Sequence, residues 1–158
     1  KKINSKNEII YKSKKFNRGL IDSSNLKFDL AYGRINFSKI FFISKNSFDC
    51  RGNANLLEEF PVVFFDCLIE TDDKQNLLKQ FSIKTKNKSE PMKLQFQGNL
   101  SLLNNKINFK TVSMNEKYNA SSEDLRYFKN SFESIILNES FLDIFSLKKI
   151  KNFILEIS

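Results

Sequence analysis

Apolar and polar residues alternate along this chain in run after run. A period of two is the mark of a strand with one buried face. Residues 94–102, LQFQGNLSL, put Leu94, Phe96, Gly98, Leu100 and Leu102 on one side. Asn104-Asn105 then offers a favoured hairpin turn. Ile107, Phe109, Thr111 and Ser113 return on the same side, which loses oiliness toward its far end. Four earlier runs carry the same alternation. LKFDLAY contributes Leu26, Phe28, Leu30 and Tyr32. INFSKIFFIS contributes Ile35, Phe37, Phe41 and Ile43, with Lys39 as the exception. SFDCRGNANLL contributes Phe48, Cys50, Gly52, Ala54 and Leu56. FPVVFFDCLIE contributes Val63, Phe65, Cys67 and Ile69.

The breaks between these runs fall at Gly33-Arg34, Lys45-Asn46 and Glu58-Glu59. Taken as tight two-residue turns, they predict the cross-strand partners. Leu30 faces Phe37 and Tyr32 faces Ile35. Phe41 faces Cys50, Phe37 faces Ala54 and Ile43 faces Phe48. Cys50 faces Cys67, Ala54 faces Val63 and Phe48 faces Ile69. Every one of these residues lies on one side of a single sheet. A slip of one residue would turn a whole strand over, so agreement among three turns argues for an antiparallel meander with one apolar face.

The period changes twice. In residues 72–81, Asp72 or Asp73 can cap a short helix whose stripe is Leu77, Leu78 and Phe81. After the hairpin, Ser121 or Ser122 can cap a second helix with Glu123 and Asp124 in its first turn. Leu125, Phe128, Phe132, Ile135 and Ile136 follow helical spacing there. Residues 139–157 read as another helix, with Phe141, Leu142, Ile144, Phe145 and Ile150 apolar, although the tail FILEI also suits a short strand. The fold class expected is α+β: mainly an antiparallel β meander of about six strands with one apolar face, one short inserted helix, and one or two C-terminal amphipathic helices. The expected organisation is a polar segment, or the end of an upstream strand, over 1–25; the sheet over 26–115 with its helix near 72–81; and a helical segment over 121–158. Within the first part, Ile9, Ile10 and Tyr11 suit a short strand.

Composition excludes more than it suggests. The chain has 17 Phe, two Cys, no His and no Trp in 158 residues. Without His there is no Ser-His-Asp triad, no Cys/His pair and no His-ligated metal. Acidic pairs stand at Glu58-Glu59, Asp72-Asp73 and Glu123-Asp124, all at turns or helix starts where acids serve as caps. No Gly-rich phosphate loop is present. The chain is therefore read as no enzyme, with no cofactor, no catalytic residue and no metal site. Its formal charge of +8 invites a nucleic-acid reading. The lysines are scattered, however, and Lys, Asn, Ile, Phe and Ser are what AT-rich coding favours. No nucleic acid is expected as a partner. Cys50 and Cys67 form either a disulfide of an oxidising compartment or two small core residues. No signal peptide or membrane-length apolar run is visible. The chain, which starts Lys-Lys, reads as a piece of a longer protein.

The order of these elements carries a resemblance. A meander ending in INFSKIFF and a strand pair is followed by DKQNLLKQFSI, a basic loop, LQFQGNLSLLNNKINFKTVSM and an amphipathic helix. This order resembles the C-terminal region of the AsmA-like family of Gram-negative bacteria, relatives of the TamB and YhdP envelope proteins, from Leu26 to the end. The resemblance implies a periplasmic body, tied to the inner membrane by an anchor outside this chain, that takes part in phospholipid transport and outer-membrane biogenesis. It implies phospholipid, or another membrane lipid, as partner, and envelope proteins besides. The hydrophobic groove implied would be lined by the shared face. From the first two runs these are Leu26, Phe28, Leu30, Tyr32, Ile35, Phe37, Phe41 and Ile43. Phe48, Leu56, Val63 and Phe65 follow, then Phe96, Leu100, Leu102, Ile107 and Phe109. Lys39 and Gly52 interrupt it. Two other readings stay open: a structural or interaction domain that regulates outer-membrane protein assembly, and a basic nucleic-acid-binding domain.

Overall fold

The computed structural model describes residues 4–13, 21–84, 89–139 and 146–157. Five strands come first: β1 (Asn4–Lys12), β2 (Ser23–Ala31), β3 (Arg34–Ile43), β4 (Asn46–Asn55) and β5 (Val62–Thr71). A short helix, α1 (Lys74–Gln80), leads to β6 (Met92–Ser101), β7 (Lys106–Met114) and β8 (Tyr118–Asn119). Two helices close the chain, α2 (Ser122–Ile135) and α3 (Leu147–Ile157). All eight strands form one antiparallel sheet in sequence order. The architecture is the α+β meander expected, with eight strands in place of about six. The additional strands are β1, which pairs along its whole length with β2, and the short β8. The sheet thus begins within the first 25 residues.

The first two turns each sit one residue earlier than expected. Ala31 pairs with Arg34, so Tyr32-Gly33 is the turn; Phe28 faces Phe37 and Leu30 faces Ile35. Both turn residues have positive φ, 51° and 77°, a conformation in which Gly33 is at ease. Ile43 pairs with Asn46, so Ser44-Lys45 is the next turn, and Phe41 faces Phe48, Phe37 faces Gly52 and Ile35 faces Ala54. The reason lies with Asn46, whose buried side-chain amide donates to the Ile43 carbonyl at 2.7 Å. That bond closes the hairpin and keeps Asn46 in the strand. Between β4 and β5 a six-residue loop, 56–61, replaces the tight turn. Its centre is still Glu58-Glu59, so Cys50 faces Cys67, Ala54 faces Val63 and Phe48 faces Ile69 as expected.

The β6–β7 hairpin departs further. Ser101 pairs with Lys106, which leaves a four-residue loop, 102–105, in place of a two-residue turn. The register then shifts between Gln97 and Gly98, where Lys110 is the extra residue of a β-bulge. Past the bulge Phe96 faces Val112 and Leu94 faces Met114. Thr111 and Ser113, expected on the apolar side, are therefore on the other one, and Val112 and Met114 take their places.

α1 and α2 start where expected and for the expected reason, whereas α3 starts at Leu147 and Glu139, the expected first residue, is not helical. Asp73 caps α1 by accepting from the Asn76 backbone N–H at 2.8 Å. Ser121 and Asp124 form a reciprocal capping box on α2. The tail FILEI is helical, within α3. Phe141, Leu142, Ile144 and Phe145 lie outside the described residues. Two apolar clusters result. In one, Leu100, Ile107 and Phe109 of the sheet meet Ile136 and Leu137, with Phe128, Phe132, Ile150 and Phe153 packed against them. In the other, Ile43 meets Leu77, Phe81 and Ile83, with Phe41, Phe48, Ile69 and Ile154 around them.

Candidate functional site

The inner face of the sheet can be read as rows of direct partners. One row runs Leu30, Ile35, Ala54, Val63, Leu100, Ile107 from β2 to β7. The next runs Phe28, Phe37, Gly52, Phe65, Gly98, Phe109. In that row rings and glycines alternate on the last five strands, and the reason is steric. A Cβ added at Gly52 would collide with the Phe37 ring and the Phe64 carbonyl, and one at Gly98 with the Phe65 ring and the Asn108 carbonyl. Each glycine makes room for a ring lying flat across it. The third row is Leu26, Lys39, Cys50, Cys67, Phe96, Val112. Cys50 and Cys67 are disulfide-bonded. Lys39, the polar exception, places its ammonium 5.4 Å from the centre of the Phe41 ring, a cation–π distance. Phe41 in turn stacks on Phe48 at 4.5 Å.

Cover over these rows is uneven. α2 lies along β7 and against α3. A chain of rings ties the sheet to both helices: Phe65 to Phe109 at 6.2 Å, Phe109 to Phe132 at 5.8 Å and Phe132 to Phe153 at 5.2 Å, all edge-on. The Tyr127 hydroxyl of α2 donates to the Glu156 carbonyl of α3 at 2.8 Å. Of the expected lining residues, Val63, Phe65, Phe96, Leu100, Ile107 and Phe109 sit under these helices. Phe41, Ile43 and Phe48 sit against α1 and α3. Leu26, Phe28, Leu30, Ile35 and Phe37 are half-buried and belong to neither cluster among the described residues. Tyr32 and Leu56 stand in turns and are exposed, 57% and 42%. Leu102 is in the β6–β7 loop, its N–H donating to the Pro61 carbonyl.

Residues join the inner face that the alternation alone did not place there, Met92 and the polar Ser5 and Asn7 among them. Val112 and Met114 arrive through the Lys110 bulge. Ile9 and Tyr11 extend the rows onto β1, opposite Leu26 and Ser24. Only the weak apolar run Ile9-Ile10-Tyr11 signals them in the sequence.

The outer face is mostly polar and its charges pair with one another, although Ile10, Phe42 and Phe64 are exposed on it. Lys27 meets Glu8 at 3.4 Å, Lys6 meets Asp29 at 3.9 Å and Lys93 meets Glu70 at 3.7 Å, each across adjacent strands. Arg51 meets Asp49 at 2.7 Å. The Gln95 and Gln97 amides both donate to Asp66, at 3.1 and 3.0 Å. Glu8 is held below the usual carboxylate range by the Asn25 amide first and the Lys27 ammonium second. Shallow hollows lie around Gly52 and Gly98 and along Lys6 to Ser38, and neither is enclosed. Among the described residues no three carboxylates or thiols converge as metal ligands, and no helix is long and apolar enough to cross a membrane. Among the described residues the arrangement offers an apolar strip on β2 and β3 that stands outside both core clusters. No protein-family model, curated protein or solved structure matches the chain.

Proposed function

We propose that this chain is a non-catalytic, lipid-handling segment of an AsmA-like envelope protein, acting in phospholipid transport and outer-membrane biogenesis. The observation that carries this reading is the strip formed by Leu26, Phe28, Leu30, Ile35 and Phe37, which belongs to neither helix-covered cluster. An acyl chain laid along the strip gains about 0.8 kcal/mol for each methylene it buries. The mechanism is passive, and no bond is made or broken. The α2–α3 end then acts as a closed cap and the β2–β3 end as the open floor. The Cys50–Cys67 bond suits a periplasmic, oxidising setting. Envelope proteins are further partners under this reading, and the inner-membrane anchor lies outside this chain.

The test is native mass spectrometry of the chain purified from bacterial membranes, with lipid extraction alongside. Phospholipid should co-purify. It should be lost in Phe28→Asp and Leu30→Asp while the circular dichroism spectrum stays unchanged. A lipid-free, well-folded chain sinks the reading and leaves the second one. That is a structural or interaction domain, which the closure of β5–β7 by α2 and α3 favours.

A further inference from the structure

The two long edges of the sheet are treated differently. On β7 the outer edge is occupied: Glu133 of α2 accepts from the Ile107 N–H at 3.1 Å and from Lys106 at 3.0 Å. Ala120 donates to the Val112 carbonyl at 2.9 Å, and β8 pairs with Ser113 and Met114. The opposite edge is β1. Among the described residues no element lies beyond it. Ile9, Ile10 and Tyr11 are 55%, 62% and 43% exposed on it. A nine-residue edge strand that exposes three consecutive apolar residues between charged ones is a template for another strand.

The direction of its free groups follows from the ladder. The Tyr32-Gly33 turn closes on the Ala31–Arg34 pair, so the odd residues of β2 bond toward β3 and the even ones toward β1. The Ser13 N–H donating to the Asp22 carbonyl at 2.7 Å continues that pattern at the end of β1. Ser5, Asn7, Ile9 and Tyr11 therefore bond to β2. Lys6, Glu8, Ile10 and Lys12 turn their N–H and C=O outward.

We propose that two copies of this chain join edge to edge through β1, antiparallel, with Ile10 opposite Ile10 of the second copy. Outward-bonding residues must meet outward-bonding residues, which leaves few registers about a two-fold axis. Glu8 on Glu8 sets two carboxylates face to face. A two-fold at Ile9 sets Lys6 against Lys12. A two-fold at Tyr11 sets Ile10 against Lys12. The two-fold at Ile10 sets Glu8 against Lys12 twice, and Ile9 against Tyr11 twice on the inner face. Opposite charges across strands attract and like charges repel, so this register alone satisfies charge and apolar face together. Glu8 already meets Lys27 across β2, so the outer face gains an alternating Lys–Glu–Lys row. The inner face gains continuity, because Ile9 and Tyr11 already lie in its rows.

Sedimentation velocity of the 158-residue chain, from micromolar to near-millimolar concentration, tests this. A dimer is expected. Ile10→Pro removes an N–H that points away from β2 and so leaves the β1–β2 ladder intact. It should be a monomer with an unchanged circular dichroism spectrum. Lys12→Glu should weaken dimerisation by about tenfold or more at low salt, and it decides the question alone if Ile10→Pro fails to fold. A wild-type monomer throughout the range overturns the proposal, as does a dimer indifferent to both variants. A lipid-free dimer upholds this inference and sinks the lipid reading; a lipid-bearing monomer does the reverse.

Discussion

Cys50 and Cys67 occupy directly opposed positions on β4 and β5, and their bond closes the loop around Glu58-Glu59. A cross-link over a separation of 17 residues restricts the unfolded chain, and for a loop near this length the effect is about 3 kcal/mol. Replacing both by Ala should lower the unfolding free energy in urea by about that amount, with the native circular dichroism spectrum retained. The capping residues work at a smaller scale. Ser121 accepts from the Asp124 N–H at 3.2 Å while Asp124 accepts from the Ser121 N–H at 2.9 Å. Ser121→Ala should cost about 1 kcal/mol, read as a shift in the urea midpoint. Asp124 is held below the usual carboxylate range by the Ser121 N–H, the Ser121 hydroxyl and then the Tyr118 hydroxyl. Asp73 is lowered chiefly by the Asn76 N–H and next by Ser89. A lowered folded-state value means that the stabilisation is complete above the unfolded carboxylate value, about 4. It is lost as pH falls through the lower, folded-state value. Melting temperature should therefore drop on acidification below about pH 4, and less steeply in Asp124→Asn than in the parent chain. Equal slopes would mean that the carboxylate is not what titrates. These caps were legible in the sequence because a cap is local: Ser or Asp, then an acidic or polar residue three positions on, next to an apolar stripe.

Strands and turns were legible in a different way. Moving a hairpin turn by one residue shifts every cross-strand partner by two, and a shift of two preserves the face. That is why the Tyr32-Gly33 and Ser44-Lys45 turns left the apolar face where the alternation put it, although nearly every partner on β2 to β4 changed. A bulge does the opposite. Lys110 adds a single residue, and a single residue inverts the face of all that follows it, so Val112 and Met114 replace Thr111 and Ser113. Nothing local in NFKTVSM announces this, since the cause is across the sheet. Gly98 lies under the Phe65 ring and against the Asn108 carbonyl, so β7 cannot pair there in plain register with a larger residue. β1 was faint for a related reason: an edge strand buries little, so its alternation is under weak constraint. The glycine sites give the test at this scale. Gly52→Ala and Gly98→Ala each put a methyl where a ring and a carbonyl already stand, and overpacking of this kind costs about 1–3 kcal/mol. Gly98→Ala should also perturb the amide shifts of residues 108–114 in an NMR spectrum, because the bulge depends on that close approach. Unchanged stability in both variants would show that the rings can swing aside freely.

Among the described residues, cover is concentrated at the C-terminal side. The chain of rings from Phe65 through Phe109 and Phe132 to Phe153 joins sheet, α2 and α3 into one unit. The strip from Leu26 to Phe37 has sheet neighbours but stands outside both clusters. Stability should follow that division. Phe132 is partly buried but meets the Phe109 and Phe153 rings on either side, so Phe132→Ala should cost about 3 kcal/mol. Phe28 is half-buried too but belongs to neither cluster, so Phe28→Ala should cost about 1 kcal/mol. Hydrogen exchange should divide in the same manner. Amides of β6, β7 and α2 should open only with global unfolding, and those of β1 and β2 by cheaper local openings. Lipid or a second copy would each change this in a distinct place. An acyl chain on the strip should slow exchange in β2 and β3 together. Edge pairing should slow it at Lys6, Glu8, Ile10 and Lys12, whose N–H groups point outward, and leave Asn7, Ile9 and Tyr11 nearly unchanged. Uniform protection from β1 to β7 in the lipid-free monomer would contradict the division itself, because it would mean that the strip outside both clusters is held as firmly as the core.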